Sequence, residues 1–252
     1  MKINESLYEE LSLNALPAAQ TQFYDGWVLR FTPGSGYNRA NSVNMIYPSA
    51  LDLHEKIDEC ENRYFSRGQS AVFKITDGLD TEVEEALKSR GYEVISPTYM
   101  MTAGLSGTQL TPEQSSDFII NDSLNDEWKN TYFSLNSRFD ENEVIATKQI
   151  LESIKIDVVT GMLIKNNTAV ACGFCAVERG YAGLFNVIVD EQQRGNGFGK
   201  EICLSLLFAV KQSGVHTVYL QVLKDNFTAV GLYEKLGFKT AYSYWYRVKN
   251  YS

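Results

Sequence analysis

Residues 184–210, LFNVIVDEQQRGNGFGKEICLSLLFAV, constrain this chain more than any other stretch. Residues 184–189 are a short, apolar, β-branched run of strand length. Residues 190–199 are polar and carry Gly195, Gly197 and Gly199, a density that neither a strand nor a helix interior tolerates. Residues 198–212 form a strongly apolar helical segment, with Lys211 and Gly214 where a helix stops. A strand, a glycine loop and a helix in that order let backbone N–H groups converge at the positive end of the helix dipole. That setting suits a phosphate or pyrophosphate.

The spacing separates the families that use this device. A Walker loop needs Gly-Lys followed by Ser or Thr, and here Lys200 is followed by Glu201. A dinucleotide fingerprint needs G-x-G-x-x-G, and this chain has Gly195-x-Gly197-x-Gly199. Arg194-x-x-Gly197-x-Gly199 instead resembles the acyl-CoA pyrophosphate loop of the GCN5-related N-acetyltransferases. A plain tight turn before a core helix would need one glycine, not three. Downstream, VYLQVLKDNFTAVGLYEKLGF supplies Asn226-x-x-Ala229-x-x-Leu232-Tyr233-x-Lys235-x-Gly237-Phe238, similar to the family's next strand and helix at the expected separation. The resemblance covers residues 115–252.

The first part of the chain matches the second. A helix at 6–15, strands at 26–31 and 41–47, a helix at 51–66, a strand at 70–75, a helix at 80–90 and a strand at 93–101 lead to a polar stretch, 104–117. A boundary there gives domains 1–110 and 111–252. At an offset of 146 without gaps, Gly68 pairs with Gly214, Phe73 with Tyr219, and Gly91-Tyr92 with Gly237-Phe238. In the same register Arg194, Gly197 and Gly199 correspond to Pro48, Leu51 and Leu53, and Tyr233 to Leu87. A loop with a proline and no glycine cannot offer the same fan of N–H groups, so the first copy reads as degenerate. The second half reads as a strand at 118–122, helices at 125–136 and 141–154, and strands at 157–165, 168–178 and 183–189. After the glycine loop and its helix come a strand at 217–222, a helix at 227–236 and a strand at 240–249.

The resemblance implies an α+β fold, a mixed and mostly antiparallel sheet flanked by helices, here duplicated as a tandem. The family ends in two strands, whereas each half here ends in one, which leaves matching edges to be covered. Tyr242, Tyr244, Tyr246 and Val248 alternate on one face of the last strand. The expectation is a pseudo-twofold arrangement, with the first half packed near that strand and forming a wall of the acceptor pocket.

Charge and cysteines narrow the partners. With 31 acidic and 23 basic residues the net charge is −8, which argues against nucleic acid and fits a cationic amine. No run reaches membrane-span length and residues 1–6 lack a signal-peptide core, so a cytoplasmic location is expected. Cys172 and Cys175 have the spacing of half a zinc site, but residues three apart on a strand face opposite sides. With His54 and His216 alone as histidines, no metal is expected and the thiols read as core.

The remaining assignments follow from the resemblance. It implies acetyl-CoA as co-substrate, an N-acetyltransferase activity, and a small-molecule or peptide amine as acceptor. The backbone of Gly195, Asn196, Gly197, Phe198, Gly199 and Lys200 would hold the pyrophosphate, with Arg194 at the loop's start. Val187 and Val189 would pair with the pantetheine arm, and Asn226 would contact the cofactor from the other side of the split between strands. Tyr233 would be the general acid. For the base the chain offers Glu178, with Tyr181 close by, and water is a third choice. Trp128, Tyr132, Phe133, Arg138 and Phe139 lie in the helix pair that covers the acceptor in this family, and Arg138 could bind an acceptor carboxylate. A non-catalytic acyl-CoA sensor is the alternative reading, and the sequence leaves monomer and homodimer open.

Overall fold

The last strand of each half lies inside the other half's sheet. The computed structural model describes residues 3–107, 110–112, 116–136 and 138–251; the polar stretch 104–117 therefore falls partly outside the described residues. The first half runs α1 (Ile3–Ala15), β1 (Gln20–Tyr24), β2 (Trp27–Phe31), a 3₁₀ turn (Asn38–Ala40), β3 (Val43–Met45), α2 (Leu53–Phe65), β4 (Ala71–Thr76), α3 (Thr81–Ser89) and β5 (Glu93–Gly104). The second runs β6 (Asp117–Asn121), α4 (Asp126–Leu135), α5 (Glu141–Ser153), β7 (Asp157–Lys165), β8 (Thr168–Glu178), β9 (Tyr181–Val189), a 3₁₀ turn (Glu191–Gln193), α6 (Phe198–Gln212), β10 (Thr217–Leu223), α7 (Phe227–Lys235) and β11 (Lys239–Lys249).

Among the described residues eleven strands form one sheet, in the order β1-β2-β3-β4-β11-β5-β10-β9-β8-β7-β6. Only β3–β4 and β9–β10 are parallel pairs. The strands β4 and β5 and the helix α3 begin at 71, 93 and 81; β10, β11 and α7 begin 146 residues later, at 217, 239 and 227. The central β5–β11 pair keeps that symmetry: Glu93 opposes Val248 and Thr102 opposes Lys239, which are equivalent pairs at the same offset. A pseudo-twofold axis therefore passes between β5 and β11. Each of these strands is paired on both sides, so neither presents an open edge.

The alternation along β11 explains what covers it. Tyr242, Tyr244 and Tyr246 are buried in one core with Tyr8 and Leu11 of α1 and Trp128 and Tyr132 of α4. On the opposite face, Trp245 and Arg247 both bond to Glu84 of α3. The buried Lys74 ammonium is paired with Glu9 and lies 3.9 Å over the Tyr244 ring, while the Tyr242 hydroxyl donates to Glu9 at 2.7 Å. The charges are thus compensated where burial alone would be costly. Cys172 and Cys175 face opposite sides, one in the α4 core and the other beneath α6. Among the described residues no His, Cys, Asp or Glu cluster could hold a metal ion, and no helix is long and apolar enough to cross a membrane.

Two features depart from the sequence reading. The strand β1 is additional, joined to β2 through Asp25 (φ 42°) and Gly26 (φ 81°), a two-residue hairpin turn. A Cβ on Gly26 would lie 2.4 Å from the carbonyl oxygens of Tyr47 and Pro48, so glycine is required there. The expected strand at 41–47 shortens to Val43–Met45 because the chain before it turns into the 3₁₀ segment.

One carboxylate should make stability depend on pH. Asp80 accepts from the Thr76 N–H at 2.8 Å, yet burial pushes its carboxyl up to about 6. The Thr76 N–H and the Lys74 charge oppose that shift, and the Glu9 charge adds to it. Because the folded value exceeds the unfolded one, its stabilising contribution is present below about pH 4 and lost as pH rises through about 6. Asp80→Asn keeps the acceptor and removes the charge. It should raise stability by about 2 kcal/mol at pH 7.5 and leave it unchanged at pH 4, read from urea midpoints at both values.

Candidate active site

The site begins where β9 and β10 part. They pair at Tyr181–Thr217, Ala182–Val218 and Gly183–Tyr219, and no further. Beyond Gly183 the edge of β9 that faces β10 has no strand partner among the described residues, as far as Val189. A bulge re-aims β9 at this point: its register against β8 shifts between Cys172 and Phe174, and Asn186 has φ 51°. Gly173 on β8 permits the bulge, since a Cβ there would lie 3.2 Å from the Val187 side chain and 3.4 Å from its Cα. Val187 and Val189 are half-buried along this open edge.

At the far end of β9 stands the glycine loop. Gly195 and Gly197 have φ of 81° and 85°, and a Cβ built on either meets nothing within 4 Å. Both sit in a conformation that favours glycine, around open space. Gly197 is the N-cap of α6, and its carbonyl accepts from the N–H groups of Lys200 (2.9 Å) and Glu201 (3.1 Å). The N–H groups of Phe198 and Gly199, the first two of the helix, have no intrahelical acceptor. Gly199 serves packing: a Cβ would be 3.4 Å from Leu232 and 3.7 Å from Val189, so this glycine draws α6, α7 and β9 together. The Phe198 side chain is buried in the core below, which leaves only its backbone at the loop. Asn196 donates to the Gln193 carbonyl at 3.2 Å. Arg194 and Arg138, both exposed, converge on Glu191 at 3.0 and 3.3 Å. Arg138 therefore stands beside the loop rather than over an acceptor.

The other arm of the splay carries Asn226 and Tyr233. Asn226 caps α7, accepting from the Ala229 N–H at 3.2 Å. Tyr233 packs edge-on to Phe238 at 5.9 Å, and its hydroxyl has no hydrogen-bond partner among the described residues. Burial raises its pKa, and the Cys203 thiol adds to the effect, so the phenol stays protonated at neutral pH.

Glu178 is not brought to this end. It closes β8 opposite Tyr181, at a hairpin turn made by Arg179 and Gly180. Its carboxylate accepts from Asn14 at 3.1 Å and pairs with Arg179 at 3.3 Å. At ~3.3 Å per residue, the length of β9 separates that turn from Val189 by roughly 25 Å. Tyr181 shares the closed end, with its ring against His216 at 4.9 Å.

On the α4 side of the splay, Trp128 is buried and its indole donates to the carbonyls of Gly161 (3.2 Å) and Gly173 (3.1 Å), next to the bulge. Tyr132 stacks on Trp128 at 5.4 Å, and Phe133 and Phe139 pack around it. The Tyr132 hydroxyl meets that of Tyr37 at 3.1 Å. Tyr37 and Arg39 come from the first half and were not among the residues singled out from sequence. The Arg39 guanidinium donates to Gln221 of β10 at 2.7 Å, and Arg39 and Tyr37 line a small cavity with Asn186 of β9. The first half thus bridges the mouth of the splay. The repeat does not mark Tyr37 and Arg39: Val43 opposite Phe73 is the counterpart of Gly183 opposite Tyr219, which puts residues 38–40 level with the turn before β9 and not with an apolar strand. A cleft of about 920 Å³ lies against β6, β7 and α6, and neither the loop nor Tyr233 lines it.

Comparison with known proteins matches this geometry. The family described as "Probable histone acetyltransferase Rv0428c C-terminal" matches residues 7–247. An uncharacterised N-acetyltransferase of Bacillus subtilis, YobR, is 29% identical over 245 residues, which is 96% of this chain and 97% of that protein. Among solved structures, a GCN5-related N-acetyltransferase from Kribbella flavida superposes with a TM-score of 0.72 at 10% identity, covering 98% of this chain and 95% of its own. A tandem GNAT protein from the clavulanic acid biosynthesis pathway superposes with a TM-score of 0.66 at 12% identity, covering 84% and 75%. With a family match across nearly the whole sequence, and the split sheet and its glycine loop in register with the motifs, the chain belongs to the GCN5-related N-acetyltransferases, within the Rv0428c C-terminal acetyltransferase family.

Proposed function

We propose that this chain transfers the acetyl group of acetyl-CoA to a primary amine by direct attack, with residues 111–252 carrying the donor site and residues 1–110 closing the acceptor side. The observation that carries this reading is the open splay between β9 and β10, with a glycine-lined helix N-terminus at its end and the hydroxyl of Tyr233 unpartnered. The backbone from Gly195 to Lys200 would hold the pyrophosphate, where Gly195 and Gly197 leave room that any side chain would take. The unpaired edge of β9 at Val187 and Val189 offers backbone groups to the pantetheine arm and an N–H to polarise the carbonyl. Asn226 flanks the arm from α7. When bound, acetyl-CoA supplies an activated acyl group and a thiolate leaving group.

The protein's own part is to orient the amine, exclude water and deliver a proton to sulfur. Tyr233 takes the last task because its phenol carries the proton at neutral pH; its raised pKa lowers the driving force for giving that proton up, so the donation relies on position beside the sulfur. Glu178 is held by Asn14 and Arg179 at the closed end of β9, so the reading gives the amine's proton to water. An acyl-CoA sensor would need the loop but no proton donor, and turnover measured with and without the Tyr233 hydroxyl separates the two readings.

Tyr233→Phe keeps the packing on Phe238 and removes the proton. Turnover, followed as CoA release with a panel of polyamines, amino acids and peptide N-termini, should fall roughly 10²-fold. Affinity for acetyl-CoA by calorimetry should stay at the wild-type value. A variant with unaltered turnover would make this tyrosine structural.

A further inference from the structure

A second cavity, of about 270 Å³, opens beside Arg39 and brings together both halves of the chain. Tyr37, Asn38 and Arg39 come from the 3₁₀ segment, Thr98 from β5, Gln221 from β10 and Tyr246 from β11. Tyr37 and Arg39 also line the enclosed cavity against Asn186. The two cavities therefore meet at Tyr37 and Arg39, one reaching Asn186 of β9 and the other lying over β10, β5 and β11.

The chemistry of the lining is lopsided. Among the described residues it contains a guanidinium and no carboxylate, although the whole chain carries a net −8. Arg39 makes its bond to the neutral amide of Gln221, and no acidic side chain among the described residues pairs with it. The carboxylates whose charge reaches the cavity are committed elsewhere. Glu9 binds Lys74 and Tyr242, and Glu143 completes the capping box of α5. Tyr246 lines the same cavity, and its buried hydroxyl has no hydrogen-bond partner among the described residues. A buried hydroxyl left unpaired is unfavourable, and its partner is absent from the protein's own described groups.

The segment is also built to hold Arg39 in place. The buried Arg30 donates to the Arg39 carbonyl at 2.6 Å and to the carbonyls of Leu13 and Leu16. Asn41 ties the same loop by accepting from the Thr32 N–H at 2.6 Å and donating to the carbonyls of Thr32 and Ser35 at 3.0 Å each. A surface arginine needs no such support, whereas a preorganised one binds a planar anion with less loss of freedom.

Resting on the acetyltransferase reading above, we propose that the acceptor amine carries a carboxylate, held in this cavity by the Arg39 guanidinium with the Tyr246 hydroxyl as a second donor. One fixed positive charge with neutral donors around it matches a monoanion such as a carboxylate. The degenerate half would then supply substrate recognition, and the acceptor class would be amino acids or short peptides with a free carboxylate. Arg138, which the sequence suggested for this role, is spent on Glu191 beside the glycine loop.

The test compares α-amino acids and dipeptides with their own carboxamides as acceptors, by CoA release. In the wild type the acids should exceed the amides in kcat/KM by roughly 10- to 100-fold, the range expected for a hydrogen bond to a charged group. Arg39→Gln should bring the acids down to the level of the amides. Equal rates for acids and amides in the wild type, or a preference that survives Arg39→Gln, would overturn the proposal. Acetyl-CoA binding by calorimetry reports separately on the donor site, so failure there would count against the acetyltransferase reading and not against this cavity. A second measurement needs no turnover: malonate should raise the Tm of the full chain more than malonamide does, and Arg39→Gln should remove the difference. Equal shifts in the wild type would also sink the idea.

Discussion

Gly197→Asp should weaken acetyl-CoA binding by roughly 10²- to 10³-fold while the fold survives. The position is the N-cap of α6 with φ 85°, and a Cβ there meets no atom within 4 Å. Aspartate and asparagine enter this left-handed region more readily than other side chains, so the backbone strain of leaving glycine is modest and is the same for either residue. The carboxylate, however, would stand where the proposed pyrophosphate has to lie. Two unit charges about 4 Å apart repel by roughly 4 kcal/mol at the effective dielectric of a protein surface. Gly197→Asn separates the two causes, because it adds the same bulk without the charge and should cost markedly less affinity. Calorimetric titration of both variants, with thermal unfolding as the fold control, decides the matter. Wild-type affinity in Gly197→Asp would remove the pyrophosphate from this loop.

The loop was legible because its signal is local. Glycines at alternate positions between an apolar strand and an apolar helix need no tertiary information, and α6 spans the predicted residues 198–212. The same holds for β7 and β8, two nearly continuous apolar runs separated by the turn at Asn166 and Asn167. By contrast β1, QTQFY, has no apolar face to announce it; its one strand partner is β2, and Tyr24 packs on the core under Arg63. Glu178 illustrates a limit of a different kind. Proximity in sequence to β9 suggested the site, but the strand's nine residues place that end where β9 and β10 are still paired, away from the opening. Arg39 was out of reach altogether. Its partner Gln221 is 182 residues away, and only the fold joins them.

Residues 112–252 alone should aggregate or fail to fold, although the glycine loop and Tyr233 are all present in that fragment. The reason lies in the sheet. The strand β11 pairs with β4 and β5, and both belong to the first half. Without them β11 has no partner on either side, and β10 loses the strand that covers its outer edge. Tyr242, Tyr244 and Tyr246 would also lose α1 and the Lys74–Glu9 pair that cover them. Each large side chain returned to water forfeits roughly 1.5–3 kcal/mol. Three of them therefore take away much of the roughly 5–15 kcal/mol by which a domain is stable, and two bare edges invite association with other chains. Size-exclusion chromatography should show high-mass species, and amide hydrogen exchange should show β11 unprotected. Co-expression with residues 1–111 should restore a soluble complex, because the exchanged strands meet through hydrogen bonds and packing rather than through the chain connection. If the fragment is instead monomeric, cooperatively folded and as active as the full chain, then β11 can close its own half. The interlocked sheet would then be a consequence of tethering, and the first half would not be needed for the fold.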